Sequence, residues 1–352
     1  MAKMRDEAKK ILDSGAMIPA VPLALDENRK FDEKRQRMLV RYYLDAGVGG
    51  IAVAVHTTQF AIRRTDVNLF CDVVKTVLDE IEQFERENGK TIIKIVGVCG
   101  KSEQAIQEAR FAAEIKADAA LLSPGGLDDL SEDQMIERTK AIAEIMPVIG
   151  FYLQVLAGGR IFTVDYWKRM ADIEGVAAIK CAPFDRCRTI ELVRGVAMSK
   201  RCGEVALYTG NDDSIVVDLL TKYEITINGK TIEKRFVGGL LGHWAAWTKT
   251  AAVIFERIKK CRESGDIPSE LLTLAAKITD ANSAFFDSAN AYAGCIAGVH
   301  EVLRRQGLLG GIWCIDPSET LSPGQAEEID RVYAAYPELY QYETKVDYFE
   351  QG

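Results

Sequence analysis

Short apolar runs alternate with longer amphipathic stretches from about residue 16 to residue 242. The runs cover residues 17–25, 49–55, 92–98, 119–122, 148–153, 176–179, 205–208 and 237–241. They are nearly continuous in apolar residues, which suits strands covered on both faces. The stretches between them are of helix length. Ser131-Glu-Asp-Gln134 is a capping box, in which the Ser oxygen and the Gln side chain satisfy reciprocal backbone N–H groups. Ser102 and Thr163 read as N-caps. The spacing predicts a helix over 65–88, closed by Gly89 in a left-handed cap. Eight strand–helix units in about 230 residues predict an α/β protein, a (β/α)8 TIM barrel. A doubly wound open sheet would be helped by G-x-G-x-x-G after an early strand, and none is present.

Two features depart from a plain barrel. Residues 223–236 contain Ile225 and Ile227 followed by Asn228-Gly229, the favoured type I′ pair, and predict a β-hairpin inserted before the eighth strand. After residue 243 the pattern is helical, with apolar residues at core spacing between 271 and 303. The expected organisation is a barrel over 1–242 with a hairpin insertion at 223–236, then a C-terminal helical extension over 243–352.

The net charge of −8 argues against a nucleic-acid partner, which favours a basic face. The eight cysteines are scattered and form no C-x-x-C pair, as expected of reduced thiols rather than a disulfide framework or a zinc site. The first residues, Met1-Ala-Lys-Met-Arg5, lack the apolar stretch of a signal peptide, and no apolar run is long enough to span a bilayer. A cytoplasmic protein without a membrane partner is expected.

Active sites of such barrels lie at the C-terminal ends of the strands. The sixth run ends Ile179-Lys180-Cys181. A lysine there would be poorly solvated, which lowers its pKa and lets a neutral amine attack a ketone; the alternative is a lysine that snorkels to solvent. The fifth run ends Tyr152-Leu-Gln154. A tyrosine hydroxyl relays protons if held near the reacting atom, and otherwise packs as a core aromatic. The second ends His56-Thr57-Thr58, which could hold a carboxylate or simply cap a helix. The seventh ends Gly210-Asn211-Asp212-Asp213, where Gly210 allows close approach of a ligand and either Asp could cap the next helix. His56 and His243, at the ends of the second and eighth strands, could act as acid or base near neutral pH or could bond locally.

Together these residues resemble the dihydrodipicolinate synthase and N-acetylneuraminate lyase family of Schiff-base aldolases, over roughly residues 16–340. Ile18-Pro-Ala-Val-Pro22, Asp45-Ala-Gly-Val-Gly-Gly50, Ala117-Asp-Ala-Ala-Leu-Leu-Ser-Pro124 and Leu321-Ser-Pro323 occur in the family's order. Lys180 follows Tyr152 by 28 positions (180 − 152), as the Schiff-base lysine follows the catalytic tyrosine. The resemblance implies that Lys180 forms an imine with a 2-keto acid and that Tyr152 shuttles protons. Thr57 and Thr58 hold the carboxylate, and Gly210, Asn211, His56, Gln154 and His243 line the substrate site. It implies no metal and no organic cofactor, the imine on Lys180 serving as electron sink, and a homodimer or homotetramer.

Departures narrow the expectation. His56 and Gln59-Phe60 replace glycines and a glutamate, Gly125-Gly126 stand where the synthases resemble Pro-Tyr-Tyr, and Ala157 stands at their arginine, with Arg160 out of register. Lysine biosynthesis is therefore not expected. The reading is a pyruvate-releasing or pyruvate-consuming lyase. The alternatives are a dehydratase or hydratase-aldolase on a deoxy keto acid, a metal-dependent lyase, or a non-catalytic barrel that binds a sugar acid.

Overall fold

The computed structural model describes residues 3–343. The strands are β1 (Met17–Pro19), β2 (Gly50–Val53), β3 (Ile93–Val98), β4 (Ala119–Leu122), β5 (Val148–Leu153), β6 (Val176–Ala182), β7 (Ala206–Thr209), β8 (Tyr223–Ile227), β9 (Lys230–Lys234) and β10 (Phe236–Leu241). The helices are α1 (Asp6–Ser14), α2 (Glu33–Asp45), α3 (Phe70–Asn88), α4 (Ser102–Glu114), α5 (Glu132–Ala143), α6 (Val164–Asp172), α7 (Arg186–Ala197), α8 (Ile215–Leu220), α9 (Thr248–Ser264), α10 (Glu270–Phe285), α11 (Cys295–Arg305) and α12 (Gln325–Ala335). Eight parallel strands form a (β/α)8 barrel in the order β1-β10-β7-β6-β5-β4-β3-β2, and a parallel bridge between Ala20 and Ala52 joins the first to the last. Every residue of β3 to β7 is buried, as the continuous apolar runs require.

The local signals act as read, with two differences. Ser131 and Gln134 form the reciprocal capping box, Thr163 accepts from the Tyr166 amide, and Gly89 closes α3 at φ 64°. Ser102 is the first residue of α4 rather than its cap. The third helix starts at Phe70, because residues up to Arg63 form short 3-10 turns and the next few form a loop. The hairpin of β8 and β9 turns at Asn228 (φ 51°) and Gly229 (φ 77°), the two left-handed positions of a type I′ turn.

The chain divides into two compact units. One comprises the chain up to Ala16 with Ile93–Leu240 and carries β3 to β9. The other comprises Met17–Ile92 and the chain from Leu241 onward. It carries β1, β2 and α9 to α12, so the helical region expected as an extension groups with the first two barrel strands.

One irregularity in the first unit decides which side chains share a face. Val148 pairs with Val176, but Ile149 pairs with Ala178, so Ala177 is an extra residue on β6. Beyond this bulge Phe151 stands opposite Lys180, and Tyr152 opposite Cys181. Successive strand residues point to opposite faces, so a one-residue slip exchanges which residue of β5 accompanies the lysine.

Candidate active site

Lys180 is 9% exposed, near the end of β6. Its Nζ lies 4.4 Å from the centre of the Phe151 ring. On the other side, Gly210 leaves room for its stem: a Cβ at Gly210 would come within 2.4 Å of Lys180 Cε and 2.8 Å of Ala182 Cβ. Burial pushes the amine down to about 8, against the pull of the Asp212 charge, which favours the ammonium. A substantial fraction of this amine is therefore neutral near pH 7–8, the state that attacks carbonyl carbon.

Tyr152 faces the other way. Its ring packs 4.9 Å from Trp167 and 6.0 Å from Phe162, on and beside α6. The buried hydroxyl lies beside the Phe162 backbone, which favours its ionised form, but burial outweighs this and pushes its pKa up to about 12. The expected pairing of Tyr152 with Lys180 thus fails on register: the 28-residue interval counts along a strand pair that the Ala177 bulge shifts by one. Tyr208, level with Lys180 on β7, has its hydroxyl held between the Ala16 amide (3.0 Å) and the Leu12 carbonyl (2.7 Å).

Asn211 is fully buried, and its amide group is committed to structure. Its oxygen accepts from the Phe184 amide (3.0 Å), and its nitrogen donates to Thr189 Oγ1 (3.2 Å) and Asp218 Oδ2 (2.9 Å). Asp218 also accepts from Thr209 Oγ1 at 2.6 Å and from Arg186. Asn211 therefore locks the β7 end to α7 and α8 instead of presenting its side chain to a substrate. Gln154 is half-buried, and its carbonyl holds the turn after β5 by accepting from Ala157 and Gly159.

In the second unit, His56, Thr57 and Thr58 form one 3-10 turn. Thr57 Oγ1 donates to the Ala20 carbonyl (2.9 Å) and Thr58 Oγ1 to the Val21 carbonyl (2.7 Å). Their hydroxyl protons therefore fasten the turn to the chain just after β1, a structural duty the resemblance does not contain. The turn is bracketed by Ala54 (φ 60°) and Gln59 (φ 66°), left-handed positions that cost a non-glycine residue about 1–2 kcal/mol each. Gln59 offsets this by accepting from the Ile315 amide at 2.7 Å. In the sequence Gln59 stands only as a departure from the family's pattern, because its partner lies 256 positions away. His56 is half-buried, its ring edge-on to Phe60 at 6.1 Å.

His243 is buried, stacked on Phe285 and bonded through Nδ1 to Asn282 Oδ1 at 2.6 Å. Burial pushes it down to about 4, so it is neutral near pH 7. Because Asn282 Oδ1 accepts, Nδ1 carries the imidazole proton. Among the described residues no cluster of His, Cys, Asp and Glu is placed to hold a metal, and no helix is long and apolar enough to cross a membrane.

A search of curated proteins finds 4-hydroxy-tetrahydrodipicolinate synthase of Thioalkalivibrio sulfidiphilus, 27% identical over 184 residues, 52% of this chain and 58% of that protein. The chain thus spans somewhat over half the length of that relative. Among solved structures, dihydrodipicolinate synthase of Oceanobacillus iheyensis superposes with a TM-score of 0.71 at 15% identity, over 94% of this chain and 99% of that one. N-acetylneuraminate lyase of Fusobacterium nucleatum, complexed with pyruvate, gives 0.67 at 16% identity over 93% and 98%. At those identities the likeness establishes the fold. Membership rests on the model of the dihydrodipicolinate synthetase family, which matches residues 13–222 and so takes in the lysine strand and Gly210 while stopping short of the hairpin. A match over more than half the chain, on this barrel, makes the protein a member of the dihydrodipicolinate synthetase family.

Proposed function

We propose that this protein is a Schiff-base lyase that acts on a 2-keto acid through Lys180. The observation that carries the reading is the buried amine, pushed down to about 8 and given its space by Gly210. A ketone held beside such an amine forms a carbinolamine and then a protonated imine. The cationic imine draws electrons from the neighbouring carbon, and a carbon–carbon bond breaks or forms through the enamine. This chemistry uses no metal and no organic cofactor. Pyruvate is the first keto acid to test, supported by the pyruvate complex of the structurally similar N-acetylneuraminate lyase.

The same reading sets the protein apart from its curated relatives in substrate. Ala157 offers no cation for a second carboxylate, and the nearby Arg160 gives its guanidinium to the Leu127 and Leu130 carbonyls and lies over the Phe162 ring. We therefore expect no 4-hydroxy-tetrahydrodipicolinate synthesis. Borohydride reduction in the presence of pyruvate, or of longer 2-keto acids, followed by peptide mass spectrometry tests the proposal. An adduct on Lys180 that is lost in Lys180→Ala is expected. Failure of every keto acid to label Lys180 would sink it.

A further inference from the structure

If Tyr152 is turned toward α6, another group must move the protons at Lys180. The end of β7 sorts its residues by face. Thr209 bonds Asp218, and Asn211 bonds Thr189 and Asp218, on the helix side of the strand. Asp213 belongs to the same side, its carboxyl in the field of Arg186 and Asp218. The alternate residues lie on the other side: Tyr208 is level with Lys180, and Gly210 is packed against the Lys180 stem. Asp212 follows two residues after Gly210, in the turn closed by the Ser214 amide on the Asn211 carbonyl, and is 8% exposed. Asp212 is also the charge whose field Lys180 feels. Three other neighbours of the lysine in this unit are not suited to the task. Phe151 carries no proton, the Tyr208 hydroxyl is held by Ala16 and Leu12, and Cys181 faces the Thr189–Asn211 side.

We propose that Asp212 is the proton-transfer residue of the Lys180 site, in the place that a tyrosine would otherwise fill. The inference rests on the Schiff-base reading above. The Asp212 carboxylate takes a proton from the Lys180 ammonium. The freed amine adds to the C2 carbonyl, and its own proton passes to the new oxygen to give a neutral carbinolamine. Asp212 then returns its proton to the carbinol hydroxyl, which leaves as water as the C–O bond breaks. Ammonium and ketone thus become protonated imine and water, and the carboxylate is restored. Charge and protons balance with no further reactant. The register supports the substitution, since the bulge at Ala177 puts a ring without a hydroxyl beside the amine.

The test follows imine formation in time, quenching the full-length protein and pyruvate with borohydride and counting Lys180 adduct by mass. Asp212→Asn should slow the approach to the final adduct level by at least about 100-fold, the usual range for loss of a general acid–base group. Tyr152→Phe should stay within about threefold of wild type. A second readout needs no keto acid: the pH dependence of Lys180 acetylation by acetic anhydride should shift to lower pH in Asp212→Asn, because the carboxylate that favours the ammonium is gone. If Asp212→Asn melts without cooperativity, Asp212→Glu should keep more than a tenth of the wild-type rate. The double variant Asp212→Asn with Phe151→Tyr, which puts a hydroxyl on the lysine's face, should regain at least tenfold. Imine formation by Asp212→Asn at the wild-type rate, or equal slowing by Tyr152→Phe, overturns the assignment of Asp212 while leaving the Schiff base standing. Absence of any adduct on the wild-type protein overturns the Schiff-base reading, and this one with it.

Discussion

At the scale of single residues, the lysine depends on what its neighbours lack. Gly210 has no side chain, and Phe151 has no hydroxyl. Gly210→Ala would drive a methyl into Lys180 Cε and Ala182 Cβ. We expect it to lower stability by about 1–3 kcal/mol, as overpacking does, and to cut the rate of imine trapping further than the melting temperature alone explains. Chemical denaturation and adduct counting on the same sample check both effects. The threonines behave differently. Thr58→Val leaves the buried Val21 carbonyl and Val55 amide without their partner, a loss of about 1–3 kcal/mol read by urea unfolding. If the variant is as stable as wild type, the hydroxyl is not the fastener described above.

At the scale of elements, much of the barrel is written in the apolar pattern. Runs 119–122 and 148–153 coincide with β4 and β5, because strands covered on both faces need apolar residues throughout. Asn228-Gly229 supplied the hairpin, because few other pairs tolerate two left-handed positions. The bulge left no such trace. Val176-Ala-Ala-Ile179 is apolar whichever way it points, so nothing in the letters marks Ala177 as the extra residue. For that reason Lys180 was legible and the facing of Tyr152 was not. Asn211 and His243 escaped for a related reason: their partners, Asp218 and Asn282, are brought to them by folding. The hairpin offers its own test. Gly229→Ala places a side chain at φ 77° and should cost about 1 kcal/mol in thermal unfolding, with imine trapping at Lys180 unchanged.

At the scale of the whole molecule, acid should be a specific weakness. His243 and His300 are buried, and burial pushes each down to about 4 from the 6.5 of an exposed imidazole. Between those values the unfolded chain binds more protons than the folded one. The stability tied to these residues is therefore complete above about pH 6.5 and is lost as pH falls toward 4. Urea unfolding at pH 7 and pH 5 should show the decline, and His300→Leu should make it shallower. Equal slopes in the two proteins would remove His300 from the account.

The extra residue on β6 carries a consequence for how such proteins diverge. Were β6 to pair without its bulge, at unchanged length, Tyr152 would stand level with Lys180 in place of Phe151, with no letter changed. The same run of letters therefore fits two sets of neighbours for one amine, told apart only by whether Ala177 is paired or left out. A shift of pairing, rather than a substitution, would change the chemistry available to a lineage in one step. An alignment, in which no gap marks the shift, would record two such proteins as having kept the same tyrosine.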